Sequence, residues 1–160
     1  MSSERADEGR WHVGMTTKEI LQAAATIAVV GMSTDPAKSA YSVPAALRAA
    51  GFRTIPVNPN TEWVGEFRSY PRLEDVPEPV DVVEVFRPSD EAADVARSAV
   101  AIGAKALWLQ IGIESEEARR IAEEAGLAFV QDRCMGVERA RHRIRKPRTH
   151  IPRTERGEPA

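Results

Sequence analysis

From residue 16 onward, short apolar runs alternate with amphipathic stretches. The runs IAVV (27–30), RTIPV (53–57), VDVVEVF (80–86), ALWLQ (106–110) and LAFVQ (127–131) are four to seven residues long. Runs of this length, bounded by turn residues, predict buried strands. Helical patterns at 42–50, 89–102 and 116–125 separate most of them and close at Gly51, Gly103 and Gly126, where a left-handed residue can end a helix. Thr16-Thr17-Lys18-Glu19 fits a capping box and predicts a short helix to about residue 25. Ser89 and Ser115 stand where helix N-caps belong. The alternation predicts an α/β, Rossmann-like, doubly wound parallel sheet, three layers in a single domain. Residues 60–79 break the rhythm. Pro71, Pro77 and Pro79 restrict that stretch to a short edge strand at 66–70 and one helical turn at 73–76.

In such sheets a ligand lies beyond the carboxyl ends of the strands. Here those ends are Gly31-Met32-Ser33, Asn58-Pro59, Phe86-Arg87-Pro88 and Gln110-Ile111-Gly112, each polar or glycine-bearing after an apolar run. The first leads into a polar loop with one lysine, Lys38. A helix is expected next, starting at Ser42 or Val43 with Pro44 in its first turn. The free N–H groups and positive dipole end of that helix would face Gly31 and Ser33, so the pattern predicts an anion site. The dinucleotide fingerprint G-x-G-x-x-G is missing, since Gly31 supplies one glycine of three. The acid that grips the ribose in NAD enzymes is replaced by Asn58-Pro59, and Arg53 sits at the wrong end of its strand for NADP. A Walker lysine motif is also absent, which argues against ATP hydrolysis.

The composition permits one domain with a sizeable core, at 160 residues and 42% apolar content. A net charge of −2 gives no overall pull towards nucleic acid or membrane. No apolar run approaches the roughly 20 residues of a membrane span, and the N-terminus is polar, so a cytoplasmic protein is expected. The single cysteine, Cys134, excludes an internal disulfide and reads as a small buried apolar group, with a mixed disulfide to a thiol ligand as the minor alternative. Residues 1–14 are expected as a flexible tail, with Trp11 placed to pack back on a domain at 15–140. Residues 139–156 carry eight Lys/Arg, two His and one acid, and prolines follow at 147, 152 and 159. Residues 141–160 therefore read as a basic disordered tail. It lacks interleaved aromatics, so a solvated tail is preferred over RNA or anionic lipid contact. His12, His142 and His150 all fall in the expected tails, and no catalytic or metal-binding group emerges. Trp108 reads as core. Glu84 shares a strand face with Val82 and Phe86 and reads as a buried structural hydrogen-bond acceptor.

Taken together, several pieces resemble a known family. They are Gly31-x-Ser33, Lys38-Ser39-x-x-Ser42-Val43, IPVNP at 55–59, VDVVEVFRP at 80–88, ALWLQIGI at 106–113 and QDRCM at 131–135. The chain resembles, over about residues 16–140, the small bacterial CoA-binding proteins, Rossmann-like domains similar to the CoA-binding domain of the succinyl-CoA synthetase α subunit. The resemblance implies coenzyme A, free or as acyl-CoA, as the ligand. It places Gly31, Met32 and Ser33 against the diphosphate and pairs Lys38 with a phosphate. Ser39, Ser42 and Val43 would stand at the helix start, and Asn58 and Pro59 would flank the adenosine. Phe86 and Arg87 would line the mouth of their strand, while Gln110, Gly112 and Ile113 would border the pantetheine arm. Two departures stand out. The synthetase carries an acid where this chain has Ile111, and its phosphohistidine domain has no counterpart here. A binding protein without evident catalytic machinery is the leading expectation. A small nucleotide-dependent oxidoreductase, with Tyr41 the nearest candidate, and a regulatory module docking through its basic tail are the alternatives.

Overall fold

The computed structural model describes residues 11–147. Of the tails expected at 1–14 and 141–160, residues 1–10 and 148–160 lie outside the described residues. The elements in chain order are α1 (Thr17–Ala23), β1 (Thr26–Val30), α2 (Ser39–Ala49), β2 (Arg53–Val57), β3 (Trp63–Val64), β4 (Phe67–Arg68), β5 (Val82–Val85), α3 (Ala92–Ala101), β6 (Ala106–Leu109), α4 (Glu116–Glu124), β7 (Ala128–Val130) and α5 (Met135–Arg141). Five strands form one parallel sheet in the order β2-β1-β5-β6-β7, so the chain winds outward from β1 in both directions. Its in-register partners run Val29 to Glu84 to Trp108 across β1, β5 and β6.

Successive side chains on a strand point to opposite faces, and both faces are covered. Ile27, Val29, Val82, Ala106 and Trp108 pack against Ile20 and Leu21 of α1, Leu47 of α2 and Met135 of α5. Ala28, Val83, Val85, Leu107 and Leu109 pack against Ala92, Ala96 and Ala99 of α3 and Ala118 and Ala122 of α4. The expected three-layer, Rossmann-like single domain is what forms. Trp108 is fully buried, and its indole N–H donates to the Arg133 carbonyl at 2.9 Å, so its one polar group is satisfied. Helix ends follow local chemistry. The Thr16–Glu19 capping box forms, and the Ser115 hydroxyl accepts from the Ala118 N–H at 3.0 Å.

Five features differ from expectation. Ser89 does not cap α3 but opens a 3₁₀ turn at Ser89–Glu91 ahead of it, and its hydroxyl accepts from the Glu114 N–H at 3.1 Å. Helix α2 begins at Ser39, three residues early, which moves Pro44 from the first turn into the helix interior. The edge strand expected at 66–70 is split: Phe67–Arg68 form a hairpin with β3, turned at Gly65 (φ 60°) and Glu66, and only Tyr70 bridges Val57 on the edge of the main sheet. Helix α5 was not expected. It is pinned by long-range bonds, from the Thr17 hydroxyl to Glu138 at 2.7 Å and from the Met135 N–H to Gln110 Oε1 at 3.2 Å. The basic tail expected from residue 141 folds back as far as Lys146. Ile144 is buried in the first core, the Lys146 N–H donates to the Ala50 carbonyl at 2.7 Å, and its ammonium reaches the Gln22 carbonyl. Trp11 packs back on that core, as its placement suggested, while residues 12–14 are exposed.

Candidate functional site

Strand order reverses between β1 and β5, and their carboxyl ends lie side by side. An open crevice of about 450 Å³ lies there. Gly31, Asn58, Pro59 and Arg87, all expected site residues, line it. Gly31 has φ 89°, and a Cβ there would lie 2.9 Å from Arg87 Cδ and 3.4 Å from the Phe86 carbonyl carbon. The positive φ favours glycine here, and a side chain would in addition have to displace the flexible Arg87 side chain. Asn58 is a strut: its Nδ2 donates to the Met32 carbonyl at 3.0 Å, and its Oδ1 accepts from the Asn60 N–H at 2.8 Å. Arg87 pairs with Glu91, with Nη2 to Oε2 at 2.9 Å, rather than with the nearby Asp90.

The crevice also holds Arg72, Glu74, Glu91, Asp94, Val95 and Ser98, none of them anticipated. A signal for part of this set was present. Glu91, Asp94, Val95 and Ser98 recur at helical spacing, beside the buried stripe Ala92, Ala96 and Ala99. Arg72 and Glu74 carried no such signal, because a single 3₁₀ turn at Leu73–Asp75 brings them in.

The loop between β1 and α2 closes on itself. The Ser33 hydroxyl accepts from the Asp35 N–H, the Asp35 carboxylate accepts from the Ala37 N–H, and the Asp35 carbonyl accepts from the Lys38 N–H, each at 3.0 Å. Pro44 has no N–H to give the Ala40 carbonyl four residues back. That carbonyl accepts from the Ser33 N–H instead, at 3.1 Å, which ties the loop to the helix. With the helix starting at Ser39, the Ser42 N–H is already bonded to the Lys38 carbonyl at 3.0 Å. The exposed first-turn amides belong to Ser39 and Ala40, not to Ser42 and Val43. The N-cap residue, Lys38, makes no side-chain cap bond. Val43 packs towards Gly136 at the start of α5.

The remaining expected residues lie apart from the crevice. Met32 is buried, and Phe86 is half-buried against the first core. The Gly112 N–H donates to Asp132 at 2.8 Å, and Ile113 packs on the second core. Gln110 is 3% exposed, and its Nε2 has no hydrogen-bond partner among the described residues. Glu84 departs from its expected role, since neither carboxylate oxygen has a hydrogen-bond partner among the described residues. Burial alone pushes its carboxyl up to about 8, so it is protonated at neutral pH. Cys134 is half-buried, at the N-cap of α5. Among the described residues no group of three or more His, Cys, Asp or Glu is placed to hold a metal ion, and no helix is long and apolar enough to cross a membrane.

The family model of the CoA binding domain matches residues 25–140. The chain belongs to the CoA-binding domain family. Over 123 residues this family member is 36% identical to the uncharacterized protein YneT of Bacillus subtilis strain 168, covering 77% of this chain and 91% of that one. A solved hypothetical protein from Pyrococcus horikoshii OT3 is 35% identical with a TM-score of 0.76, over 80% of this chain and 92% of that one. The ADP-forming acetate–CoA ligase II of Archaeoglobus fulgidus is 29% identical over 100 residues, which span 61% of this chain and 15% of the ligase.

Proposed function

We propose that the protein binds coenzyme A, free or acylated, across the carboxyl ends of β1, β2 and β5. One observation carries this reading: at the switch point an open crevice of about 450 Å³ adjoins a loop and helix start whose N-cap makes no side-chain bond. Membership of the CoA-binding domain family supports it. In this reading the adenosine enters the crevice between Asn58–Pro59 and Arg87. The diphosphate lies over Gly31–Ser33 and meets the amides of Ser39 and Ala40. The Ser33 hydroxyl already accepts a bond and keeps its proton to donate. Lys38, exposed beside these amides, pairs with a phosphate. The pantetheine arm leaves over the end of β6, past Gly112 and Ile113, with Gln110 buried beneath it.

A thermal-shift panel of CoA, acetyl-CoA, NAD, NADP and ATP tests the ligand class. The expected result is stabilisation by the two CoA species alone, of about 2.7 kcal/mol at a hundredfold excess over Kd. Selective stabilisation by NAD or NADP overturns the reading and favours an oxidoreductase. For the loop, Lys38→Ala is expected to weaken CoA roughly 5- to 100-fold by calorimetry, the range of one charge-assisted bond. Unchanged affinity removes Lys38 from the site.

A further inference from the structure

The crevice is a poor host for a further phosphate. Its lining carries two guanidiniums, Arg72 and Arg87, against three carboxylates, Glu74, Glu91 and Asp94. Both guanidiniums are already engaged, Arg72 with Asp75 at 3.2 Å and Arg87 with Glu91 at 2.9 Å. Coenzyme A carries, besides its diphosphate, a phosphomonoester on the ribose 3′ oxygen. With the adenosine in the crevice, that group needs a cation beyond the crevice wall.

A second hollow of about 550 Å³ meets this need. It shares Pro59, Asn60 and Pro71 with the crevice and continues along Glu62, Trp63 and Arg68. Trp63 and Arg68 are directly paired in the hairpin ladder. The alternation of side chains puts them on its outer face. The inner face is anchored: Val64 is buried, and the Arg48 guanidinium lies 3.2 Å from the Phe67 ring centroid. Trp63 stays 37% exposed. Arg68 is exposed and has no carboxylate partner among the described residues; its guanidinium lies 5.9 Å from the Tyr70 ring centroid. The hollow thus offers one uncommitted guanidinium fork beside an aromatic wall, with Glu62 as its one acid.

We propose that this hollow is the subsite for the 3′-phosphate, and that Arg68 is the residue separating coenzyme A from its 3′-dephospho form. This rests on the coenzyme A reading above. A guanidinium suits the task because its fork matches two phosphate oxygens at once. Glu62 opposes the phosphate, so Glu62→Gln tightens binding of coenzyme A and leaves the dephospho form unchanged.

The test is calorimetric titration of wild type, Arg68→Ala and Arg72→Ala with coenzyme A and with 3′-dephospho-CoA. Wild type is expected to prefer coenzyme A by about 10-fold or more, the effect of one hydrogen-bonded charge pair. Arg68→Ala is expected to lose that preference while holding its affinity for the dephospho form, which also shows the variant to be folded. Arg72→Ala is expected to keep the preference. A preference that survives in Arg68→Ala, or equal weakening of both ligands, overturns the proposal. Wild type binding both ligands equally overturns the subsite and leaves the coenzyme A reading standing. Wild type binding neither overturns both.

Discussion

Glu84→Gln is expected to make the protein more stable, increasingly so as pH rises. Glu84 sits at the centre of the sheet, in register with Val29 and Trp108, fully buried and with neither oxygen hydrogen-bonded among the described residues. Burial raises its carboxyl from 4.5 to about 8. Between these two values the folded protein holds a proton that the unfolded chain has released. Stability therefore falls as pH rises through that window, by about 1.4 kcal/mol per pH unit, and levels off above it. Below pH 4.5 both states are protonated and the penalty vanishes. The loss amounts to about 3 kcal/mol by pH 7 and about 5 kcal/mol above pH 8. Glutamine keeps the shape and the unpaired polar atoms, so it removes the pH dependence without repairing the buried polarity. Urea denaturation of both proteins at pH 5, 6, 7 and 8 measures this directly, and other titrating groups cancel in the difference. The advantage of the variant is expected to widen by about 2.5 kcal/mol between pH 5 and pH 7, and its full size of about 3 kcal/mol at pH 7 corresponds to a gap on the order of 10 °C in melting temperature. Parallel stability curves would refute the reasoning, since they would mean that Glu84 titrates alike in the folded and unfolded states.

Three further substitutions probe the fold and the site. Gly51→Ala is expected to be severely destabilising, because a Cβ at φ 100° would run into the backbone carbonyl of Lys146 and expel the folded-back segment; thermal unfolding, with a drop larger than that of Gly31→Ala, checks it. Gly31→Ala should cost about 1–2 kcal/mol, since φ is 89° but the nearest atom is a flexible part of Arg87; a neutral effect in urea would contradict the close approach of the strand ends. Ser115→Ala should cost about 1 kcal/mol by removing the N-cap of α4, without altering ligand affinity.

The sheet was legible because each buried parallel strand is a short apolar run ending at a polar or glycine residue, as at Val30-Gly31 and Val85-Phe86-Arg87. Helix α5 was not. MGVERARHR is charged, and what holds it, Glu138 on Thr17 and Met135 on Gln110, are partners far away in sequence. The start of α2 was misplaced because Pro44 suits a first turn, whereas here its missing N–H is used to free the Ala40 carbonyl for Ser33. Lys38 is no N-cap type of residue, so nothing local marked the true start. The hairpin had a local signal in Gly65, which with Glu66 makes the turn, but the packing of Val64 and Phe67 shows only once Arg48 and the core are in place. For the crevice, the glycine and asparagine strand ends could be read directly. Its charged rim could not, because ion pairs such as Arg72–Asp75 look like ordinary surface in sequence.

The central claim is that coenzyme A occupies the switch-point crevice and the start of α2. Amide chemical-shift mapping during a titration with coenzyme A tests it most directly. The largest shifts are expected on Gly31, Ser33, Ser39, Ala40, Asn58 and Arg87, with Gly103 and Gly126 at the opposite ends of the strands unmoved. Shifts centred on those opposite ends, or the same pattern produced equally well by NAD, would contradict it.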